Sequence, residues 1–189
     1  MKQRTLSINN IARLSAGINL SRGKDVVPES SVYSMRDQES DLSSGCVFKP
    51  CIYNPDNKET HVLKAGDIVV NLGTRKCSIV TKDNENKIIK NSFVKIELTD
   101  FFIDSWFLCY SINESPVFKE SISTDVLSVI RPLSVSILGR AQICIPSMDL
   151  QQKIGAIYRG LCRIRYLNEK RNELLDKVLN SLVTKVEEK

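Results

Sequence analysis

The sequence predicts an α+β (mixed α/β) domain over residues 1–146, followed by a single long C-terminal α-helix over residues 147–189. Three observations predict it. Short β-branched or alternating runs lie between turn residues in the first part, an aromatic segment with a helix cap interrupts them, and after residue 147 apolar side chains recur at alternating spacings of three and four. With 189 residues the chain has room for one ordinary domain and an appendage. Its 42% hydrophobic and 26% charged residues match globular proteins rather than disordered or membrane classes.

Residues 68–70, 77–80, 93–98 and 134–137 read as strands that pair in one sheet system. Residues 104–112 read as a short helix, because Asp104 or Ser105 offers a cap and the aromatics recur at helical spacing. The polar stretches 34–45 and 82–87 read as loops. Pro146 stops the preceding strand, and Ser147 or Asp149 caps the long helix. Along that helix Leu150, Ile154, Ile157, Leu161, Ile164, Leu175, Val178 and Leu182 follow a heptad seam, and Asn168 and Arg171 occupy two of its positions. From 149 to 186 the helix would run roughly 55 Å at about 1.5 Å per residue. So small a domain cannot bury that length, so a second helix is expected to cover the seam, most simply that of another copy in a homodimer.

The same inspection excludes several functions. No apolar run reaches the length of a membrane span, and the residues after Met1 lead into no signal-peptide core, so a cytoplasmic protein without a membrane partner is expected. The six cysteines form no CxxC pair, and His61 is the single histidine, so no metal site is expected and several of the thiols, such as Cys109 and Cys144 in their apolar runs, read as small hydrophobes. Phosphate-loop, dinucleotide and methyltransferase cofactor motifs are all lacking. Neither a cofactor nor catalysis is expected.

A net charge of +5 and a pI near 8.9 favour a polyanionic partner without specifying one. The basic run Arg159, Arg163, Arg165, Lys170 and Arg171 is either a solvated face or a set of phosphate contacts. Two loops beside predicted structure combine base-reading and phosphate-binding groups. One carries Asn71, Thr74, Arg75 and Lys76, the other Arg22 and Lys24. Arginine can grip guanine and asparagine adenine in bidentate fashion, while lysine and threonine suit phosphate.

Four motifs, in order, resemble the specificity (S) subunits of type I restriction-modification systems. Ile11-Ala12 before a short strand and Gly17 resembles the opening of the family's target-recognition domain. Lys64-Ala65-Gly66-Asp67-Ile68 looks like its KxGDI strand, and Ile103-Asp104 precedes an aromatic helix as the family often shows. Ile145-Pro146 followed by Gln151-Gln152-Lys153-Ile154 resembles its proline-ended strand and QxKI helix. The resemblance implies a target-recognition domain that reads double-stranded DNA in the major groove. It also implies a helix that pairs antiparallel with another and docks on the modification and restriction subunits, which perform the methylation and cleavage. A full specificity subunit has two such domains and two helices, whereas this chain resembles half. Two functions follow as expectations: recognition of a bipartite DNA site by a dimer, or a coiled-coil interaction protein that binds modification or specificity subunits with weak or non-specific DNA binding.

Overall fold

The computed structural model describes residues 4–19, 28–48, 51–54, 60–99, 102–123 and 132–187. Its strands and α-helices run β1 (Arg4–Ser7), β2 (Ala12–Ala16), α1 (Met35–Ser44), β3 (Ile68–Asn71), β4 (Cys77–Ile79), β5 (Phe93–Leu98), α2 (Ser105–Glu114), α3 (Pro116–Ile122), α4 (Val135–Arg140), β6 (Gln142–Ile145) and α5 (Met148–Glu187). Four strands form an antiparallel sheet ordered β2-β5-β3-β4, and β1 pairs with β6 in a separate antiparallel ribbon.

Every residue of β3 and β5 is buried, because both faces of the sheet are covered. On one face Val70, Ile79, Val94 and Ile96 meet Leu108, Cys109 and Ile112 of α2. The other holds a smaller cluster of Tyr33, Leu63, Val69, Val80, Ile89 and Phe93. Burying that second face encloses a lysine: Lys95 is 1% exposed and lies 3.4 Å from both Asp67 and Glu97. A buried ammonium is tolerable only with such partners. Beside this cluster, burial and then the Asp67 carboxylate push the Cys51 thiol up to about 11.

Two expectations are corrected. Residues 34–45, expected as a loop, contain α1. Ser34 and Asp37 form a reciprocal capping box at its start, and Gly45 ends it at φ 68° in the left-handed region that suits glycine. Its anchors are polar: Gln38 and Asp41 are the buried residues. Asp41 is fully buried and accepts from the Tyr33 hydroxyl (2.7 Å), the Thr81 amide (3.1 Å) and hydroxyl (2.7 Å), and Asn84 Nδ2 (2.8 Å). Residues 134–137, expected as a strand, instead begin α4. The Ser134 hydroxyl accepts from the Ile137 amide and so caps a helix, which outweighs the β-branched alternation. The other expected strands hold as β3, β4 and β5, and the aromatic helix holds as α2 with Asp104 as its cap. The stretch 82–87 is a 3-10 turn over Lys82–Asn84 and the residues that follow it.

The long helix α5 has 40 residues, about 60 Å at the usual rise. It docks on the body through Gln151, Gly155, Tyr158 and Cys162, all buried and spaced at helical intervals. Gln151 accepts from the Asp104 amide (3.0 Å) and donates to the carbonyls of Phe102 (3.0 Å) and Pro146 (3.1 Å). Gly155 lies so close to α2 that a β-carbon there would meet the Asp104 carboxylate and come within 2.9 Å of the Phe107 nitrogen. The heptad seam lies beside this stripe. Ile154 is half-buried against the core, while Leu150, Ile157, Leu161 and Ile164 are exposed, Ile157 by 73%. Farther along, Asn168, Arg171, Leu175, Val178 and Leu182 are exposed too. Among the described residues, no helix is long and apolar enough to cross a membrane.

Candidate functional site

An open cleft of about 1220 Å³ lies between the body and α5. One side is formed by α1 and the β3–β4 turn, the other by α5, and the ends of α2 and α3 contribute to it. Apolar atoms of Ile112, Phe118, Ile122 and Tyr158 line part of it, amid cations from four elements: Arg36 of α1, Arg75 and Lys76 of the turn, Lys119 of α3, and Arg165 and Lys170 of α5. Glu39, Glu114, Glu169 and Glu173 also line it. Glu114 is engaged by Arg165 at 3.1 Å and Lys119 at 3.8 Å, and Glu173 by Lys170 at 2.7 Å. Exposed pairs of this kind hold side chains in place more than they stabilise the fold.

The turn has a defined geometry. Asn71 is buried, and its side-chain carbonyl accepts from the amides of Gly73 (2.8 Å) and Thr74 (3.1 Å). Arg75 stands at φ 59°, a left-handed conformation uncommon for arginine. Its amide donates to the Asn71 carbonyl at 2.8 Å, which closes the turn. Thr74 and Lys76 are exposed and Arg75 half-exposed, so the turn presents its hydroxyl, guanidinium and ammonium at the cleft while Asn71 braces it from within.

The basic run on α5 divides between two neighbourhoods. Arg165 and Lys170 line the cleft. Arg163 instead donates to the Ser43 carbonyl at the end of α1, and Arg159 lies with it beside Gly45, where cations suit the negative end of a helix. Arg171 is exposed at its seam position. Arg22 and Lys24 lie outside the described residues. Arg36 and Lys119 join the cleft although the sequence marks neither as a site residue; the capping box that starts α1 is the available signal for Arg36.

Beneath the turn, Cys77 and Cys109 are buried with their sulfurs 3.4 Å apart. Burial, then the neighbouring Cys77, raises the Cys109 thiol well above its usual range. These are packed thiols rather than activated nucleophiles. Tyr158 OH accepts from Asn113 Nδ2 at 2.8 Å, and burial, then Cys162, raises its phenol. Six cations against four carboxylates leave the lining of the cleft net positive, which favours an anionic partner.

No protein-family model matches the chain, and no curated protein matches it in sequence. Solved structures are similar in fold. One, described as the structural basis of complex assembly and conformational transition of the type I R-M system, is similar over 95% of this chain and 43% of its own, at 13% identity and a TM-score of 0.57. The HsdS subunit from Thermoanaerobacter tengcongensis is similar over 93% of this chain and 46% of its own, at 16% identity and a TM-score of 0.52. The type I restriction-modification system S subunit from M. genitalium is similar over 82% and 37%, at 14% identity and 0.49. The first two likenesses establish the fold as one found in type I restriction-modification chains. This chain spans less than half the length of each of the three.

Proposed function

We propose that this chain reads double-stranded DNA as a half specificity subunit of a type I restriction-modification system, and that two copies pair through α5 to address a bipartite site. It does no chemistry itself, and methylation and cleavage belong to the modification and restriction subunits on which the pair docks. The observation that carries the DNA reading is the cleft. The predicted turn residues Thr74, Arg75 and Lys76 meet cations of α1, α3 and α5 there, on a fold shared with the HsdS subunit. Backbone amides, hydroxyls and cations position a duplex, and arginine reads base edges.

The pairing rests on the seam. Apart from Ile154, which is half-buried against the core, it lies beside the stripe that docks α5 on its own body, and it continues past the body to Leu182. An antiparallel register that mates every seam residue sets Ile164 against Asn168 of the second copy, Leu161 against Arg171, Ile157 against Leu175, Ile154 against Val178 and Leu150 against Leu182. The free half of each helix then covers the body-proximal half of the other. The four layers that hold Asn168 and Arg171, two for each copy, fall together at the centre, where they specify orientation at some cost in stability.

Arg75→Ala tests the reading role. Affinity for the preferred duplex is expected to fall by about 1–3 kcal/mol, with preference relaxed at one position per half-site. Titrations against preferred and scrambled duplexes at several salt concentrations measure it. An even loss on all duplexes, with a salt slope smaller by about one, would assign Arg75 to phosphate instead. Absence of salt-dependent DNA binding by the unaltered chain would leave the coiled-coil interaction protein as the better account.

A further inference from the structure

The β3–β4 turn is a short protrusion at an open sheet edge, because β4 is the last strand in the order β2-β5-β3-β4. Such an edge leaves backbone groups unpaired and gives the turn freedom to sway. Here the edge is closed at Cys77 by one side chain. Asn113, in the last turn of α2, accepts from the Cys77 amide at 2.7 Å and donates back to the Cys77 carbonyl at 2.9 Å. Its amide thus does for Cys77 what a neighbouring strand would do. The same Nδ2 group donates to the Tyr158 hydroxyl at 2.8 Å, and Tyr158 is a buried residue of α5 packed edge-on to Trp106 and Tyr110.

Cys77 directly follows Arg75 and Lys76 in the chain. On the turn's other side the Lys76 carbonyl accepts from Gln38 of α1 (2.9 Å) and from the Asn71 amide (2.9 Å). The exit of the turn is therefore held from three directions, and Asn113 joins the first residue after the turn to the long helix.

We infer that Asn113 is a positioning residue: it fixes the orientation of the Thr74–Lys76 turn relative to α5, and thereby the sequence selectivity of DNA binding. This rests on the DNA reading proposed above. A base contact needs its donor placed within a few tenths of an ångström, whereas attraction to phosphate tolerates a loose turn. Loss of the clasp should therefore separate the two. Asn113→Leu keeps the bulk and removes all three hydrogen bonds. Tyr158→Phe removes only the link to α5.

Two measurements on the full chain test this. Without DNA, amide exchange at Cys77 should quicken at least tenfold in Asn113→Leu, while amides of β5 keep their protection. Unchanged exchange at Cys77 overturns the clasp whatever the DNA result, and acceleration throughout β5 reduces Asn113 to a general fold residue. With DNA, affinity for the preferred duplex should fall at least tenfold, with affinity and salt slope on a scrambled duplex unchanged. Tyr158→Phe should give a smaller loss in the same direction. Equal losses on both duplexes, or none, overturn the positioning role. Should the unaltered chain itself fail to discriminate duplexes, the DNA reading fails, the selectivity role falls with it, and the exchange result still decides whether the clasp exists.

Discussion

Leu161→Asp combined with Ile164→Asp is expected to convert the proposed dimer into a monomer at tens of micromolar while leaving the body folded. Both side chains are exposed in the single chain, at 39% and 57%, so the body loses little when they become carboxylates. In the antiparallel pair four layers are struck, because each copy contributes both positions. Burial of a leucine or isoleucine is worth about 1.5–3 kcal/mol, so losing four weakens the dissociation constant by at least about a thousandfold even after the new carboxylate at position 161 meets Arg171 of the second copy. Light scattering measures the change, and a persistent dimer would contradict the seam. Orientation follows from cysteine placement. Leu161→Cys with Arg171→Cys should cross-link two copies on oxidation, whereas either single variant should not, as it would if the helices ran parallel.

Asp41→Ala should destabilise the body strongly, costing about 3 kcal/mol or more. The carboxylate accepts four hydrogen bonds in a site without exposure, and it joins α1 to Tyr33 before it and to Thr81 and Asn84 after β4. Once it is gone, the hydroxyls of Tyr33 and Thr81 can rotate to other partners, but the Thr81 amide and Asn84 cannot. Stranding such donors away from water carries the full desolvation cost. Burial, followed by the Asp41 charge, raises the Tyr33 phenol, so it stays a protonated donor at neutral pH and ionisation offers no relief. Denaturant unfolding should show a lower midpoint with an unchanged slope. A loss under 1 kcal/mol would mean that α1 is held chiefly by something else. Because α1 carries Arg36 into the cleft, DNA affinity should fall with stability.

What the sequence revealed depended on whether an element was held by apolar or by polar contacts. The strands at 68–70, 77–80 and 93–98 and the helix α5 bury apolar side chains at regular spacing, and that spacing is visible in a list of residues. The resembling motifs also have structural reasons. Gly66 adopts φ 94°, and Asp67 closes the same turn through the Lys64 amide at 2.8 Å while pairing with Lys95. Gln151 of the QxKI segment bonds to Asp104 of the Ile103-Asp104 pair, so two motifs far apart in the chain are one contact in space.

The elements misread were α1, held by a buried carboxylate and a glutamine rather than an apolar stripe, and α4, whose serine cap outranked its β-branched pattern. The site was partly legible. Thr74, Arg75 and Lys76 stand together in the cleft, but Asn71, chosen for its amide, uses its carbonyl to build the turn. Arg36 and Lys119 reach the same cleft only through tertiary packing of α1 and α3. Asn113 was invisible for the same reason: its partners, Cys77 and Tyr158, are 36 and 45 residues away.

Selection from random duplexes with the full chain tests most directly whether two copies of one reading surface address DNA through an antiparallel pair. A two-fold pair presents its surfaces in opposite senses, so the bound pool should converge on an interrupted inverted repeat with a fixed spacer. Enrichment of a lone asymmetric half-site, or of no sequence at all, would contradict it.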